Sequence, residues 1–173
     1  MRIYDGSPRQ DFEEVFRSIG AYLDGRGMQE VLLTETAEGF VVQGLVLAAG
    51  GAHSDVAGQA VKETLTLLDD DISRFMDDGL ARRAARSDAA ASGPGYYEDA
   101  LRVIGRYIDE QRPRDVFFFE QGGSFVLRLL VSDRTGMHHV LVEFPRDEMD
   151  QLIEAGPGQR RGPGLTGPAN QRS

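Results

Sequence analysis

Two parts of the chain carry the same order of hydrophobic and polar positions. Apolar residues recur every three or four positions through Phe12–Leu23 and again through Tyr97–Ile108, which places them on one side of an α-helix. Acidic residues follow at the start of each segment, where the helix dipole favours negative charge. The pattern predicts one amphipathic helix at the start of each copy.

Each predicted helix is followed by two β-rich runs joined by a turn, which predicts a hairpin. The runs are Glu30–Glu35, Phe40–Ala48, Asp115–Glu120 and Ser124–Ser132. A third strand and a second helix that stops at a glycine complete each copy. These strands are Glu63–Leu67 and His139–Phe144, and the helices begin at Asp70 and Arg146 and stop at Gly79 and Gly156. Each copy is thus predicted to be an α-β-β-β-α unit.

A shift of 85 residues lays Asp11–His53 on Tyr96–His138 without a gap, with 14 of 43 pairs identical. The long ungapped match predicts a tandem duplication. We therefore expect an α+β protein with antiparallel sheets and a pseudo-twofold arrangement of the two copies. The predicted segments are a first repeat at 1–79, a helical extension and flexible linker at 80–95, a second repeat at 96–156 and a disordered basic tail at 157–173.

Both predicted long helices contain a glycine at the same internal place, Gly20 and Gly105. An interior glycine costs about 1 kcal/mol relative to alanine, so a compensating contact is expected. We expect each glycine to allow close approach of its helix to a sheet.

Oppositely charged residues also recur at the same places in the two predicted helices, four positions apart. These pairs, which are predicted to be surface ion pairs, are Glu13–Arg17 and Glu98–Arg102.

The predicted strands are apolar on both faces, although a sheet covered on one side alternates apolar and polar residues. Helices can cover one face, and we expect the two repeats to bury their other faces against each other. The alternatives are a homodimer interface or a groove that holds a client protein. The candidate partner-binding residues are Phe117, Phe119, Val126, Leu130, Leu32, Val41 and Leu45.

The composition narrows the possible functions. The chain has 173 residues, no cysteine and a formal net charge of −9, which becomes −12 for residues 1–156. The lack of cysteine excludes disulfides, thiol nucleophiles and cysteine-ligated metals. The acidic balance argues against nucleic acid as a partner. No apolar run is long enough for a membrane span, and the N-terminus lacks the apolar core of a signal peptide, so a cytoplasmic protein is expected.

No catalytic residue, cofactor or metal site is predicted. His53 and His138 correspond across the repeats and are interpreted as exposed residues, the alternative being a shared metal site or a pH-sensitive contact. Glu35 and Glu120 also correspond, but no matched nucleophile, base or orienting group accompanies them. The acidic run Asp69–Asp71 lacks the alternating ligands and the glycine of a calcium loop, and it is interpreted as a helix start with a solvated acidic surface.

The order of a long helix, three antiparallel strands and a helix resembles the type III secretion chaperones and YbjN-like proteins. The resemblance rests on element order and hydrophobic pattern in Asp11–Leu47 and Tyr97–Ala155. It implies a non-enzymatic protein that holds extended client segments on an apolar surface, with two copies of the fold in one chain. It assigns no binding residue.

The first functional hypothesis is a protein-binding module, chaperone-like or adaptor-like, that acts through an apolar sheet face or a groove between the repeats. The partner would be another protein or a second copy. One alternative is an acidic immunity or inhibitor protein that blocks a basic surface. The other is a small-molecule sensor or enzyme with a pocket between the repeats that contains Glu35 and Glu120 or His53 and His138.

Overall fold

The computed structural model describes residues 12–47, 60–86 and 96–156. The first part contains α1 (Phe12–Arg26), β1 (Gln29–Thr36), β2 (Gly39–Leu47), β3 (Ala60–Leu68) and α2 (Asp69–Arg86). The second contains α3 (Tyr96–Gln111), β4 (Asp115–Gln121), β5 (Ser124–Asp133), β6 (Gly136–Phe144) and α4 (Arg146–Glu154). The α+β prediction is confirmed.

All six strands form one antiparallel sheet in the order β3-β2-β1-β4-β5-β6. Its two halves join edge to edge at the centre, where Leu32, Leu33 and Thr34 of β1 lie opposite residues 119, 118 and 117 of β4. Pairing between β1 and β4 satisfies the backbone groups that two separate three-stranded sheets would expose. The repeats therefore share one sheet, while their origin by duplication stays a prediction.

The helices cover one face of this sheet and bury the hydrophobic core against it. On the first half, the Phe16 ring of α1 lies edge-on to Phe40 of β2 with centroids 5.7 Å apart. On the second half, Tyr107 of α3 lies edge-on to Phe144 of β6 at 5.6 Å. Successive side chains of a strand point alternately to the core and to the other face of the sheet, so Phe118 is fully buried while its two neighbours in the strand are half-buried.

Three predicted boundaries differ from the structure. The helix predicted to stop at Gly79 continues to Arg86, so the predicted extension belongs to α2 and the glycine stop is wrong. The third strand of the first half begins at Ala60 rather than Glu63, because it pairs with β2 along its whole length as far as Leu47. The third strand of the second half likewise begins at Gly136 rather than His139, because it pairs with β5 as far as Asp133. The predicted linker beyond residue 86 and the predicted tail at 157–173 lie outside the described residues.

The interior glycines allow contact between helices rather than between a helix and the sheet. A Cβ atom on Gly20 of α1 would lie 2.2 Å from the carbonyl oxygen of Tyr97 in α3. A Cβ atom on Gly105 of α3 would lie 2.3 Å from the carbonyl oxygen of Phe12 in α1. The predicted contact with the sheet is therefore wrong, and the two matched glycines bring the middle of each helix onto the start of the other.

Candidate functional site

Reciprocal hydrogen bonds hold the two repeats together above the central strands. Asp24, near the end of α1, accepts two backbone N–H groups at the start of α3, at 3.1 and 2.8 Å. Asp109, near the end of α3, accepts two at the start of α1, at 3.0 and 2.9 Å. Each repeat thus caps the first helix of the other. Burial raises the pKa of Asp24 above its ordinary value of 3.8, although the N–H groups oppose this shift.

The predicted ion pairs are also exchanged between the repeats. Arg17 Nε lies 3.3 Å from Oε1 of Glu98, and Arg102 Nη1 lies 3.6 Å from Oε1 of Glu13. Glu98 and Arg102 are buried, so the prediction of surface pairs is wrong for them. The reason is the close contact of α1 and α3 at Gly20 and Gly105, which places the matched positions of the two helices side by side.

The seven candidate partner-binding residues share the sheet face opposite the helices. The registers place Leu32 beside Phe119 and Phe119 beside Val126 in one row across three strands. All seven side chains are half-buried, namely Leu32, Val41, Leu45, Phe117, Phe119, Val126 and Leu130. We call the sheet surface that they form, together with their neighbours on the same side, the open face.

The open face also holds most of the exposed large hydrophobic side chains of the described chain. Of six such residues, four lie on this side of the strands by their register: Leu47, Leu68, Met137 and Leu141, which are 61%, 45%, 62% and 52% exposed. The rings of Phe117 and Phe119 lie side by side at its centre, with centroids 5.7 Å apart. Polar side chains of the same face, among them Thr34, Gln43 and Thr66, lie between these apolar ones. Together the apolar side chains still exceed the scattered apolar residues of an ordinary exterior.

The expectation that the two repeats bury these faces against each other is wrong. Their strands join side by side, so both halves of the open face look in the same direction. Within residues 12–47, 60–86 and 96–156, every helix lies on the opposite side of the sheet. The sister repeat therefore extends the open face instead of sealing it.

Charge is divided unequally between the two sides of the protein. At paired strand positions, the charged residues of the open face are two basic and two acidic: Lys62, Arg128, Asp115 and Glu143. The guanidinium of Arg128 lies 4.9 Å from the centroid of the Phe117 ring, so part of this charge covers an aromatic surface. The four helices contain sixteen acidic and nine basic residues. At its paired positions the open face is thus balanced, with the exposed Glu30 of the β1 bulge as one further acid at its edge, while the helical layer is acidic.

A second feature lies at one end of the junction between the repeats. Pairing of β1 with β4 ends at Leu32, and before it β1 has a bulge in which Glu30 adopts a φ of 50°. A cavity of about 730 Å³ opens beside this bulge, and Glu120 and Arg146 are among its lining residues. A smaller cavity of about 310 Å³ lies on the open-face side and shares Glu30 and Glu120 with the first.

Aromatic hydroxyls line the larger cavity. The Tyr97 hydroxyl donates a hydrogen bond to the Glu120 carboxylate, and burial together with this carboxylate raises the pKa of Tyr97. Burial also raises the pKa of Tyr96 to about 12, and the guanidinium of Arg146 lies 3.8 Å from the centroid of its ring. This cluster was not predicted from the sequence. The signal that could have revealed it is a difference between repeats, because Tyr97 corresponds to Phe12, which has no hydroxyl.

The structure separates the candidate pair of glutamates, and one histidine of the other candidate pair is not described. Glu35 and Glu120 lie at opposite ends of the β1–β4 junction, because antiparallel pairing centred on Leu33 and Phe118 runs their strands in opposite directions. His53 lies outside the described residues, and His138 on β6 has its Nδ1 3.8 Å from the Asp133 carboxylate.

The acidic run at 69–71 begins α2, where Asp71 accepts the N–H of Leu68 at 3.1 Å, as expected of a helix start. In the part of the chain that is described, no group of three or more acidic or histidine side chains could hold a metal ion. None of the helices there combines the length and apolar character that a membrane span requires.

Comparison of the chain with protein-family models, curated proteins and solved structures finds no match.

Proposed function

We propose that this protein is a non-enzymatic binding module, chaperone-like or adaptor-like, that holds a protein surface against its open face. The observation that supports the proposal is the gathering of the seven candidate residues, with four further exposed hydrophobic side chains, on one side of a continuous sheet. Burial of apolar surface is the main driving force of protein association, at about 25 cal/mol per Å². The acidic helical layer on the other side keeps the module in solution.

The experiment uses a photo-crosslinking phenylalanine analogue placed on the open face. The site is Leu141, which is 52% exposed, and the matched control is Leu80 on α2, which is 56% exposed on the helical side. Each full-length variant is irradiated in native lysate. Adducts with a protein that form at the Leu141 site and not at the Leu80 site support the proposal. If both sites give the same adducts, or neither gives any, the open face is not a binding surface.

Salt dependence separates this proposal from the acidic inhibitor that blocks a basic surface. Contacts between apolar side chains persist at high ionic strength, whereas an acidic surface bound to a basic partner loses affinity as charges are screened. We therefore expect the Leu141-specific adducts to survive in molar salt. Adducts that disappear in salt and form at the Leu80 site would favour the inhibitor.

The cavity at the end of the junction supports a second candidate, a small-molecule sensor or enzyme. The observation that supports this candidate is that the Glu120 carboxylate, the Tyr97 hydroxyl and the Arg146 guanidinium lie around one cavity of about 730 Å³. The test is a thermal-shift screen of charged metabolites on wild-type protein and on Glu120→Gln. A compound that stabilises the wild type and not the variant would support this candidate, and a screen with no such compound would count against it.

A further inference from the structure

We propose that the occupant of the open face is a second copy of this chain, seated face to face on the first. This inference rests on the proposed function and names its partner. The contact would be isologous, so that the same residues take part on both copies.

The division of charge favours this partner. Two copies of a chain with a net charge of −9 repel each other wherever their acidic helical layers meet. At the open face this repulsion is smallest, because Lys62 and Arg128 balance Asp115 and Glu143 at the paired positions. An apolar and charge-balanced surface requires a partner of the same character, and the open face of a second copy has that character.

The size of the open face fits a stable dimer. Strands lie about 4.8 Å apart and side chains on one face about 6.8 Å apart, so each position covers about 33 Å². The registers place five open-face positions on each of β2, β3 and β5, four on each of β4 and β6 and three on β1. These positions present about 860 Å². A stable interface of ordinary size buries about 800 Å² on each partner. Face-to-face packing at the usual sheet separation of about 10 Å would therefore cover nearly all of the open face.

The shape of the open face allows it to pack against the open face of a second copy. On β4 the large side chains of Phe117 and Phe119 form a ridge, and beside it on β1 lie the smaller Thr34 and Leu32. A twofold axis parallel to the strands places the ridge of each copy over the lower β1 side of the other. Two such faces can interdigitate as the inner faces of a β-sandwich do.

The direct test is sedimentation velocity on the purified full chain at micromolar to submillimolar concentrations. We expect wild type and the control Leu80→Asp to sediment as dimers, and Phe119→Asp to raise the dimer dissociation constant at least about 100-fold, since a charge would be buried without a partner. Circular dichroism checks that Phe119→Asp folds. If it does not, Leu141→Asp replaces it, since that side chain is more exposed. A monomeric wild type, or a dimer that Phe119→Asp and Leu141→Asp leave intact, overturns the second copy as occupant.

The crosslinking experiment separates failure of this inference from failure of the proposed function. A Leu141-specific adduct with twice the mass of one chain supports the second copy as occupant. If the wild type is monomeric and the Leu141 site crosslinks to a different protein, the second copy is wrong while the proposed function stands. If the Leu141 site gives no adduct beyond those of the Leu80 control, both are wrong.

Discussion

The close contact between α1 and α3 makes the interior glycines testable by a single methyl group. In Gly20→Ala the new Cβ atom would lie 2.2 Å from the carbonyl oxygen of Tyr97, whereas ordinary contact begins at 3.4 Å. The helices must therefore separate by about 1.2 Å. This displacement also lengthens the hydrogen bonds from the start of α3 to Asp24, now 3.1 and 2.8 Å, beyond hydrogen-bonding range.

The expected cost follows from these separate effects. Overpacking costs about 1–3 kcal/mol and loss of the cap about 1–2 kcal/mol, while alanine in a helix interior returns about 1 kcal/mol. We expect Gly20→Ala to lower the free energy of unfolding by about 3 kcal/mol and the melting temperature by about 10 °C. Gly25, also in α1, has nothing within 4 Å of its Cβ position, so Gly25→Ala is a matched control that should be neutral or slightly stabilising.

The assay is urea denaturation followed by circular dichroism for wild type, Gly20→Ala and Gly25→Ala. The denaturant midpoint of Gly20→Ala should fall while its slope stays unchanged, since the unfolded chain is the same. If Gly20→Ala is as stable as Gly25→Ala, the helices do not touch at this position and the reasoning is wrong. Because the contact is reciprocal, Gly105→Ala should have a similar cost.

Three further predictions test the cap, the two sides of the sheet and the tyrosine cluster. Asp24→Ala should cost about 1–2 kcal/mol, and Asp24→Asn less because its amide oxygen still accepts one of the two N–H groups. Burial raises the pKa of Asp24, so the folded state holds the proton of this carboxyl more tightly than the unfolded chain, and the contribution of Asp24 to stability falls as pH rises from 3.8 through the raised pKa. Asp24→Asn should remove this fall in denaturation measured from pH 3 to 7. An unchanged pH profile would contradict the prediction. Phe118→Ala should cost about 3–5 kcal/mol and Phe119→Ala less than about 1 kcal/mol at low protein concentration, with equal losses contradicting the assignment of faces. Tyr97→Phe should cost about 1–2 kcal/mol in the same assay, because the half-buried Glu120 carboxylate loses its donor, and a neutral result would mean that water replaces the hydroxyl.

The elements could be predicted from the sequence because their signals are local. The spacing of apolar residues in α1 and the short apolar run of β4, bounded by turn residues, are properties of neighbouring positions. The strands were therefore predicted to within a few residues, whereas Gly79 misled the prediction of α2 because a glycine can stop a helix or lie buried within one.

The contacts between elements that are distant in the sequence could be predicted only in part. Gly20 indicated a close contact, yet nothing in a single sequence distinguishes a helix from a sheet as its neighbour. The apolar second face was visible because successive strand residues are apolar, but what lies against it depends on whether β1 pairs with β4 or packs on top of it. The cavity beside Tyr97 depends on a bulge and on the positive φ of Glu30, which no residue pattern indicates.

The reciprocal caps at Asp24 and Asp109 have a consequence for how the chain can be divided. A polypeptide containing one repeat would lack the carboxylate that caps its first helix and would expose β1 or β4 as an unpaired edge. Since β1 and β4 pair antiparallel about their midpoints, such a fragment can satisfy both needs by pairing with another copy of itself or with the complementary fragment. The two halves, expressed separately, should therefore recover their structure on mixing, as complementing fragments of a single cooperative folding unit.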